Sequence, residues 1–177
     1  MRFSAIALAA AILLAGCGSR QSGSLKVDPA LLMLVPADTQ TLGGAKLDQL
    51  RASPVYKKYG AELEGRWLEA FQSRTGLDPR KDVWEVVGAL RDDRPLLLAR
   101  GKFVADGGLE PRLESLGAER FAYRGYTLIG SEQAAVTFLN PSTVAAGRAQ
   151  VLRDVLDRRG QAQGPSRELS AALARIP

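Results

Sequence analysis

Residues 83–103 read VWEVVGALRDDRPLLLARGKF, and this stretch decides the fold. Val83–Leu90 is rich in residues that favour β-strands, and Leu96–Phe103 is a second run of the same kind. Arg91-Asp92-Asp93-Arg94 separates the two runs and has the polar composition of a tight turn. The stretch therefore predicts two antiparallel strands joined by a hairpin.

A long amphipathic helix is predicted before this hairpin. Ser53 can cap a helix that begins at Pro54, and Gly76 can end it. Large apolar residues recur every four positions and should form one stripe that packs on the sheet. The residues of this stripe are Val55, Tyr59, Leu63, Trp67 and Phe71.

The hairpin and the helix belong to a longer alternating pattern. Strands are also predicted at 39–47 and 119–123, and a second helix at 106–116. The order strand, helix, strand, strand, helix, strand is that of a ferredoxin-like unit, and we expect both helices on one face of an antiparallel sheet. A β-meander (126–129, 134–139 and 143–146) and C-terminal helices follow, the first with Val151, Leu152, Val155 and Leu156 facing inward. The predicted fold class is α+β.

The N-terminus has the layout of an export signal. Arg2 supplies a positive charge, and a short apolar run extends from Phe3 to Ala15. This run is shorter than the roughly 20 residues that a membrane-spanning helix needs. Leu14-Ala15-Gly16-Cys17 resembles the lipobox of bacterial lipoproteins, in which the Cys thiol receives diacylglycerol and a peptidase cuts before the Cys. The resemblance implies that Cys17 is the lipidation site.

Lipidation at Cys17 divides the chain into three parts. Residues 1–16 are the predicted signal peptide, 17–29 a lipidated polar tether and 30–177 a single α+β domain. The acyl chains anchor the protein to a membrane, so we expect it in the cell envelope. Gly18 follows Cys17, whereas an Asp at this position resembles an inner-membrane retention signal in enterobacteria. The outer membrane is therefore favoured if the host is Gram-negative.

Composition excludes several chemistries. The chain has no histidine, which removes Ser-His and Cys-His nucleophile pairs and nearly all zinc, copper and haem sites. Cys17 is the only cysteine and has no disulfide partner within the chain. The net charge of +5 is spread over mixed charges without interleaved aromatics, so no nucleic-acid partner is expected.

The remaining motifs favour structural roles. Asp78, Asp82, Asp92 and Asp93 could be read as an acid/base pair or a calcium site, but turn and surface roles fit their neighbours better. The glycines of Gly43-Gly44, Gly101-Lys102 and Gly107-Gly108 lack the pattern of a phosphate loop and are interpreted as turn or bulge residues. Trp67 and Trp84 could line a ligand pocket, but their apolar surroundings predict core packing. We expect no catalytic residue, no cofactor and no metal site.

Several short motifs of turn and helix-capping residues resemble those of an uncharacterised group of predicted bacterial envelope proteins. The motifs are Leu34–Thr39, Thr75–Pro79 with Asp82-Val83, Tyr123–Tyr126 and Val136–Leu139. The resemblance covers most of the mature chain and implies a fold, not an activity. Members of the group continue beyond the position of Pro177. The last helix has an apolar stripe, formed by Leu169, Leu173 and Ile176. This stripe must either pack on this domain or, if the chain is a fragment, pack against residues that follow Pro177 in a longer protein.

These observations predict a non-enzymatic envelope lipoprotein that acts as a binding or interaction module. Its partner could be an envelope protein or an anionic surface component. The alternative is a carrier or sensor of an apolar or anionic ligand that is held between sheet and helices.

Lipidation is tested by the variant Cys17→Ser. Because serine offers no thiol to the lipid transferase, we expect an unprocessed or soluble chain that incorporates no labelled fatty acid. Ser19→Ala, two residues further on, should be processed and retained at the membrane like the parent. Unchanged processing and membrane retention of Cys17→Ser would contradict the assignment.

Overall fold

The hairpin predicted from residues 83–103 is present. The computed structural model describes residues 27–75, 77–103, 109–161 and 164–175, and leaves out the side chains of 61–67, 74, 75, 109 and 110. In it, strand β2 (Val83–Arg91) pairs antiparallel with β3 (Arg94–Gly101). The other strands are β1 (Thr41–Lys46), β4 (Glu119–Tyr123), β5 (Tyr126–Gly130), β6 (Ala135–Asn140) and β7 (Thr143–Gly147). The helices are α1 (Pro29–Leu32), α2 (Leu47–Ala52), α3 (Pro54–Thr75), α4 (Pro79–Asp82), α5 (Leu109–Ser115), α6 (Ala149–Arg158) and α7 (Arg167–Leu173).

All seven strands form one antiparallel sheet in the order β1-β2-β3-β7-β6-β5-β4. The predicted α+β class, the order of elements along the chain, the meander and the C-terminal helices are confirmed. The strand pairing differs from that of a ferredoxin-like unit, in which the first and third strands are neighbours. Here β1 pairs with β2 from Thr41↔Leu90 to Lys46↔Glu85, and β3 pairs with β7 from the second half of the chain.

One face of the sheet, which we call the closed face, is covered by α6. Val87, Leu98 and Ala145 point to this side and are fully buried. From α6, Leu152 and Val155 pack against them, and all four apolar residues predicted to face inward on this helix are buried. Full burial of such a side chain contributes about 1.5–3 kcal/mol, so this layer is the main source of stability.

The segment 27–35, which we call the N-terminal arm, also lies on the closed face. Asp28 caps α1 by accepting a hydrogen bond from the Ala30 N–H at 2.7 Å, and its own N–H donates to Glu85 Oε1 at 2.8 Å. Asp28 also forms an ion pair with Arg100 of β3. Val27 is buried as well, so Val27 and Asp28, which were predicted to belong to the tether, pack on the domain.

On the opposite face, Leu47 of α2 packs against a second apolar cluster. The predicted helices at 54–75 and 106–116 contact each other, and α3 also contacts α2. The helices are not confined to one face, because α1 and α6 lie on the closed face. Helix α3 has the predicted bounds, and Ser53 Oγ accepts from the Tyr56 N–H at 3.2 Å. Residues 104–108, which include the predicted start of α5, are outside the described residues.

The last helix begins at the predicted cap. Ser166 Oγ accepts a hydrogen bond from the Leu169 N–H at 3.2 Å. Leu169 and Leu173 are each half-buried, so part of the predicted stripe packs on the domain. Ile176 lies outside the described residues.

A buried hydroxyl in the closed face generates a stability prediction. Thr137 is fully buried, and its Oγ1 has no hydrogen-bond partner among the described residues. An unpaired buried hydroxyl carries a desolvation cost that a methyl group of the same shape does not. We expect Thr137→Val to raise the free energy of unfolding by about 1 kcal/mol in urea denaturation. Thr41→Val, at an exposed strand position, is the control and should change it little; a Thr137→Val protein no more stable than the parent would contradict the prediction.

The arm contact at Glu85 predicts a pH dependence. Burial raises the pKa of Glu85, Lys46 opposes the shift and Asp48 adds to it. The folded protein therefore holds this proton more tightly than the unfolded chain. Its stability should fall as pH rises from about 4.3, the ordinary glutamate value, through the raised pKa. Glu85→Gln keeps the oxygen that accepts from Asp28 but removes this dependence, which urea denaturation between pH 4 and 7 would detect.

Glu132 provides a control of opposite sign. The hydrogen bond from Arg153 holds the pKa of Glu132 below its usual range. The contribution of this pair is present above the ordinary glutamate pKa and is lost as pH falls. The difference in the free energy of unfolding between Glu132→Gln and the parent should therefore change with pH in the opposite direction to that of Glu85→Gln. If the difference in the free energy of unfolding between Glu85→Gln and the parent is constant between pH 4 and 7, the role given to Glu85 is refuted.

Candidate functional site on the open sheet face

The second face of the sheet has a row of small and apolar residues across its centre. Side chains alternate between the two faces of a strand, and the strand register aligns those that share a face. Gly43 lies opposite Gly88, Gly88 opposite Leu97, Leu97 opposite Ala146, and Ala146 opposite Val136. We call this row, together with Leu90 of β2, the open face.

The open face is uncovered toward the hairpin end of β1, β2 and β3, whereas farther from the hairpin Ala99 is buried and Val86 partly buried in a second apolar cluster. Leu97 is 47% exposed and Leu90 39% exposed, although both belong to central strands. A side chain added at Gly43 or Gly88 would meet no described atom within 4 Å. On the closed face, by contrast, a Cβ at Gly44 would lie 3.2 Å from the Val27 side chain. The two faces therefore differ in how far other parts of the protein cover them, and not in how apolar their residues are.

Helix α3 borders this face and exposes the stripe that was predicted to be buried. Val55 is 62% exposed, and Tyr59 and Phe71 are exposed too, so this prediction is wrong for all three. The helix instead buries the neighbouring row, with Gly60 and Leu68 inside and Tyr56 half-buried. The four-residue period is correct, but the buried row is turned by one residue, about 100° around the helix. The side chains of Leu63 and Trp67 are outside the described residues.

The four candidate carboxylates lie at opposite ends of β2. Asp78 caps α4 and accepts from Arg80 Nε at 2.8 Å, while Asp82 Oδ2 accepts from the Asp78 N–H at 2.8 Å. The hydrogen bond from Arg80 holds the pKa of Asp78 below its usual range. These contacts bear out the turn role predicted for this pair.

At the hairpin end of β2, Asp92 has a φ of 52° and pairs with Gln40, and Asp93 pairs with Arg148 at 2.9 Å. A nine-residue strand separates the two carboxylate pairs by roughly 30 Å. Among the described residues no group of three or more acidic or cysteine side chains could hold a metal ion.

Two other sequence interpretations change, those of Gly43-Gly44 and Trp84, whereas Gly101 lies beside the irregularity of the β2–β3 ladder, as expected of a bulge residue. Gly43 and Gly44 lie in the middle of β1 with regular pairing, not in a turn or bulge. Trp84 is 48% exposed instead of packed in the core, because it alternates in phase with Gly88 and Leu90 on the less covered side of β2. Gly101 ends β3, where a Cβ would lie 2.0 Å from the Asp82 carbonyl oxygen, so only glycine fits this close approach. Gly107, Gly108 and the lipidation residue Cys17 are outside the described residues.

A small cleft on the closed face is lined by apolar residues and by the ion pair of Arg91 with Asp154. Arg91 donates to Asp38 at 2.5 Å and lies 3.5 Å from Asp154 of α6. Burial opposes ionisation of Asp38, but the hydrogen bond and charge of Arg91 outweigh it and lower its pKa. The cleft has a volume of about 10 Å³, no more than one water molecule needs. It joins the loop after the arm to β2 and α6 and leaves no room for a ligand.

The open face was not predicted from the sequence, although a signal for it is present there. A sheet with one solvated face has strands that alternate apolar and polar residues, whereas β3 reads Leu96-Leu97-Leu98-Ala99. In β2, Val86, Gly88 and Leu90 repeat this apolar character on the side away from Val87 and Ala89. Such strands are typical of a sheet that is covered on both sides. The described helices cover only part of the second side.

No helix in the described part of the chain is long and apolar enough to span a bilayer. No protein-family model matches the sequence, and no curated protein matches it.

Crystal structures of a protein called TP0453 are similar in fold. Crystal form IV aligns with a TM-score of 0.51 at 15% identity, covering 79% of this chain and 55% of that one. Crystal form III has a TM-score of 0.49 at 16% identity, covering 79% of this chain and 54% of that one. Crystal form I has a TM-score of 0.46 at 15% identity, covering 80% and 54%. The chain thus spans about half the length of these structures, and the similarity to crystal form IV supports a common fold alone.

Proposed function

We propose that the protein is a lipid-anchored, non-enzymatic binding module of the bacterial cell envelope, and that it binds an apolar ligand on the open face. The observation that carries the proposal is the exposed apolar centre of that face, with Leu90 and Leu97 uncovered beside Gly43 and Gly88. Contiguous exposed apolar surface on a folded protein is typical of a binding site. Complete burial of an exposed leucine contributes about 1.5–3 kcal/mol. Leu90 and Leu97 are 39% and 47% exposed, so a ligand that covered them would gain roughly half of that from each.

The shape of the open face favours an elongated ligand. Gly43 and Gly88 leave a flat surface on β1 and β2, and Leu97 of β3 and Leu90 of β2 border it. Backbone without side chains lets a ligand approach closely. An acyl chain fits such a surface. This favours a carrier or sensor of an apolar ligand over a module that binds only proteins.

The predicted anchor supports the same reading. Acyl chains on Cys17 would keep the domain within reach of a membrane, where chains and other apolar groups are abundant. We propose the cell envelope as its location, with the outer membrane favoured if the host is Gram-negative. No nucleic-acid partner and no cofactor form part of the proposal.

A second candidate function is the binding of an envelope protein or an anionic surface component. The observation that favours it is the start of α3, where Val55 and Tyr59 are exposed beside the exposed cations Lys57 and Lys58. Lys58 Nζ lies 5.0 Å from the centre of the Tyr59 ring. An apolar and basic surface of this kind suits an acidic partner.

The proposed function is tested with a fluorescent fatty acid and the mature chain, residues 17–177, prepared without acyl groups. We expect saturable binding, weakened about tenfold or more by Leu97→Glu, which removes apolar contact and adds a charge that the ligand would bury. Met33→Glu is the matched control, because Met33 is 44% exposed but belongs to the arm on the closed face. Absence of binding by the parent, or equal loss in both variants, would defeat the proposal.

A further inference from the structure

The junction of α2 and α3 exposes apolar side chains from both helices. Only Ser53 separates the two helices, and its backbone is extended, so they do not continue as one. Leu50 of α2 is 41% exposed, and Val55 and Tyr59 of α3 are 62% and 42% exposed. Val55 and Tyr59 are four residues apart and therefore lie on one side of the helix. We call residues 50–59 the α2–α3 corner.

The α2–α3 corner is basic and has no acidic residue. Between Asp48 and Glu62 the sequence contains three cations, Arg51, Lys57 and Lys58, and no aspartate or glutamate. Both lysines are exposed, and Lys58 Nζ lies 5.0 Å from the centre of the exposed Tyr59 ring. Cationic, aromatic and aliphatic groups are thus presented together.

The charge of the α2–α3 corner is available to a partner. Within the described part of the chain, Arg51, Lys57 and Lys58 form no ion pair. By contrast, Arg91 and Arg153 pair with carboxylates at 2.5 and 2.6 Å. An anionic surface that approached the corner would therefore meet three cations that no carboxylate already neutralises.

The composition of the α2–α3 corner favours a bilayer surface over a protein partner. Protein–protein interfaces are depleted in lysine, whereas helices that lie on bilayers combine Lys and Arg with large apolar residues. A lysine can place its ammonium group among lipid headgroups while its stem contacts apolar atoms. Val55 projects from the corner and can enter a deformable bilayer without a complementary pocket. Farther along α3, Glu69 is exposed, so the contact is confined to the first turns of this helix.

We propose that the α2–α3 corner is a membrane-contact surface that binds a bilayer containing anionic phospholipid. Lys57 and Lys58 contact the phosphate headgroups, and Val55 and Tyr59 insert among the upper acyl groups. The inference deepens the second candidate function, since it names the partner of that surface. It needs neither lipidation of Cys17 nor ligand binding on the open face.

Co-sedimentation with lipid vesicles tests the proposal on the mature chain, residues 17–177, prepared without acyl groups. One set of vesicles is phosphatidylcholine alone, and the other has equal parts of phosphatidylcholine and phosphatidylglycerol. We expect binding about tenfold or more tighter to the second set, since each cation close to an anionic bilayer strengthens binding about fivefold. Added salt should weaken this binding by screening. Equal affinity for both sets, or no binding to either, would overturn the proposal.

Two double variants with the same loss of charge locate the contact. Lys57→Gln with Lys58→Gln should weaken binding to the phosphatidylglycerol vesicles about tenfold or more. Arg167→Gln with Arg175→Gln removes two exposed cations in and just after α7, and should leave binding nearly unchanged. Equal losses in both proteins would mean that net charge and not the corner attracts the bilayer, which would also overturn the proposal.

A fluorophore at position 55 shows whether the α2–α3 corner itself touches the bilayer. Val55→Cys, combined with Cys17→Ser, supplies a single thiol at an exposed position for an environment-sensitive label. We expect the emission to shift to the blue when the phosphatidylglycerol vesicles are added. Ser131→Cys, in the exposed turn before β6, is the control and should show no shift. Without a shift at position 55 the proposal fails.

Leu97→Gln distinguishes this proposal from binding on the open face. This variant loses apolar surface on the open face without a change of charge, and should bind the vesicles like the parent. The variant with both lysines replaced should bind the fluorescent fatty acid like the parent. If Leu97→Gln loses vesicle binding and the lysine variant keeps it, lipid binds on the open face and the α2–α3 corner is not the contact. If the parent binds the vesicles as expected but no fatty acid, only the open-face function fails.

Discussion

The pairing of β3 with β7 is the constraint on which the rest of the structure depends. It joins a three-stranded unit from the first half of the chain to a four-stranded meander from the second half. Its register, from Leu96↔Gly147 to Arg100↔Thr143, brings Leu98 beside Ala145 on one face and Leu97 beside Ala146 on the other. The first pair forms the centre of the closed face and the second the centre of the open face. One set of backbone hydrogen bonds thus builds both the core and the candidate site.

The two faces of the sheet have similar apolar residues, but these residues are buried on the closed face and partly exposed on the open face. On the closed face, α6 fills the space above the sheet, and the arm completes the layer with Leu31 and Val35. Side chains there are buried from water and hold the domain together. On the open face the described helices stand to the side, and Leu90 and Leu97 remain in contact with solvent. The exposed parts of these two side chains add nothing to the stability of the isolated domain, and they form the surface on which we propose that a ligand binds.

Ionic contacts attach the N-terminal segments to the closed face rather than forming a reactive centre. Arg91 joins Asp38 to Asp154, and Arg100 and Glu85 hold Asp28. These contacts hold Asp28 and Asp38 against β2, β3 and α6 on the closed face.

The sequence by itself determined the local structure of this protein. Strong β-formers, turn residues and caps predicted the seven strands, the hairpin at Arg91–Arg94, the bounds of α3 and the inward row of α6, because these features depend on near neighbours in the chain. Only the tertiary structure decided which strands pair at long range, which row of α3 is buried and which sheet face stays open. Val55 and Tyr59 illustrate the difference, since periodicity shows that a helix has an apolar row but not which row meets a partner. Leu97 illustrates the same difference in a strand. The sequence shows that this residue is apolar, but its exposure depends on where helices that are distant along the chain pack on the sheet.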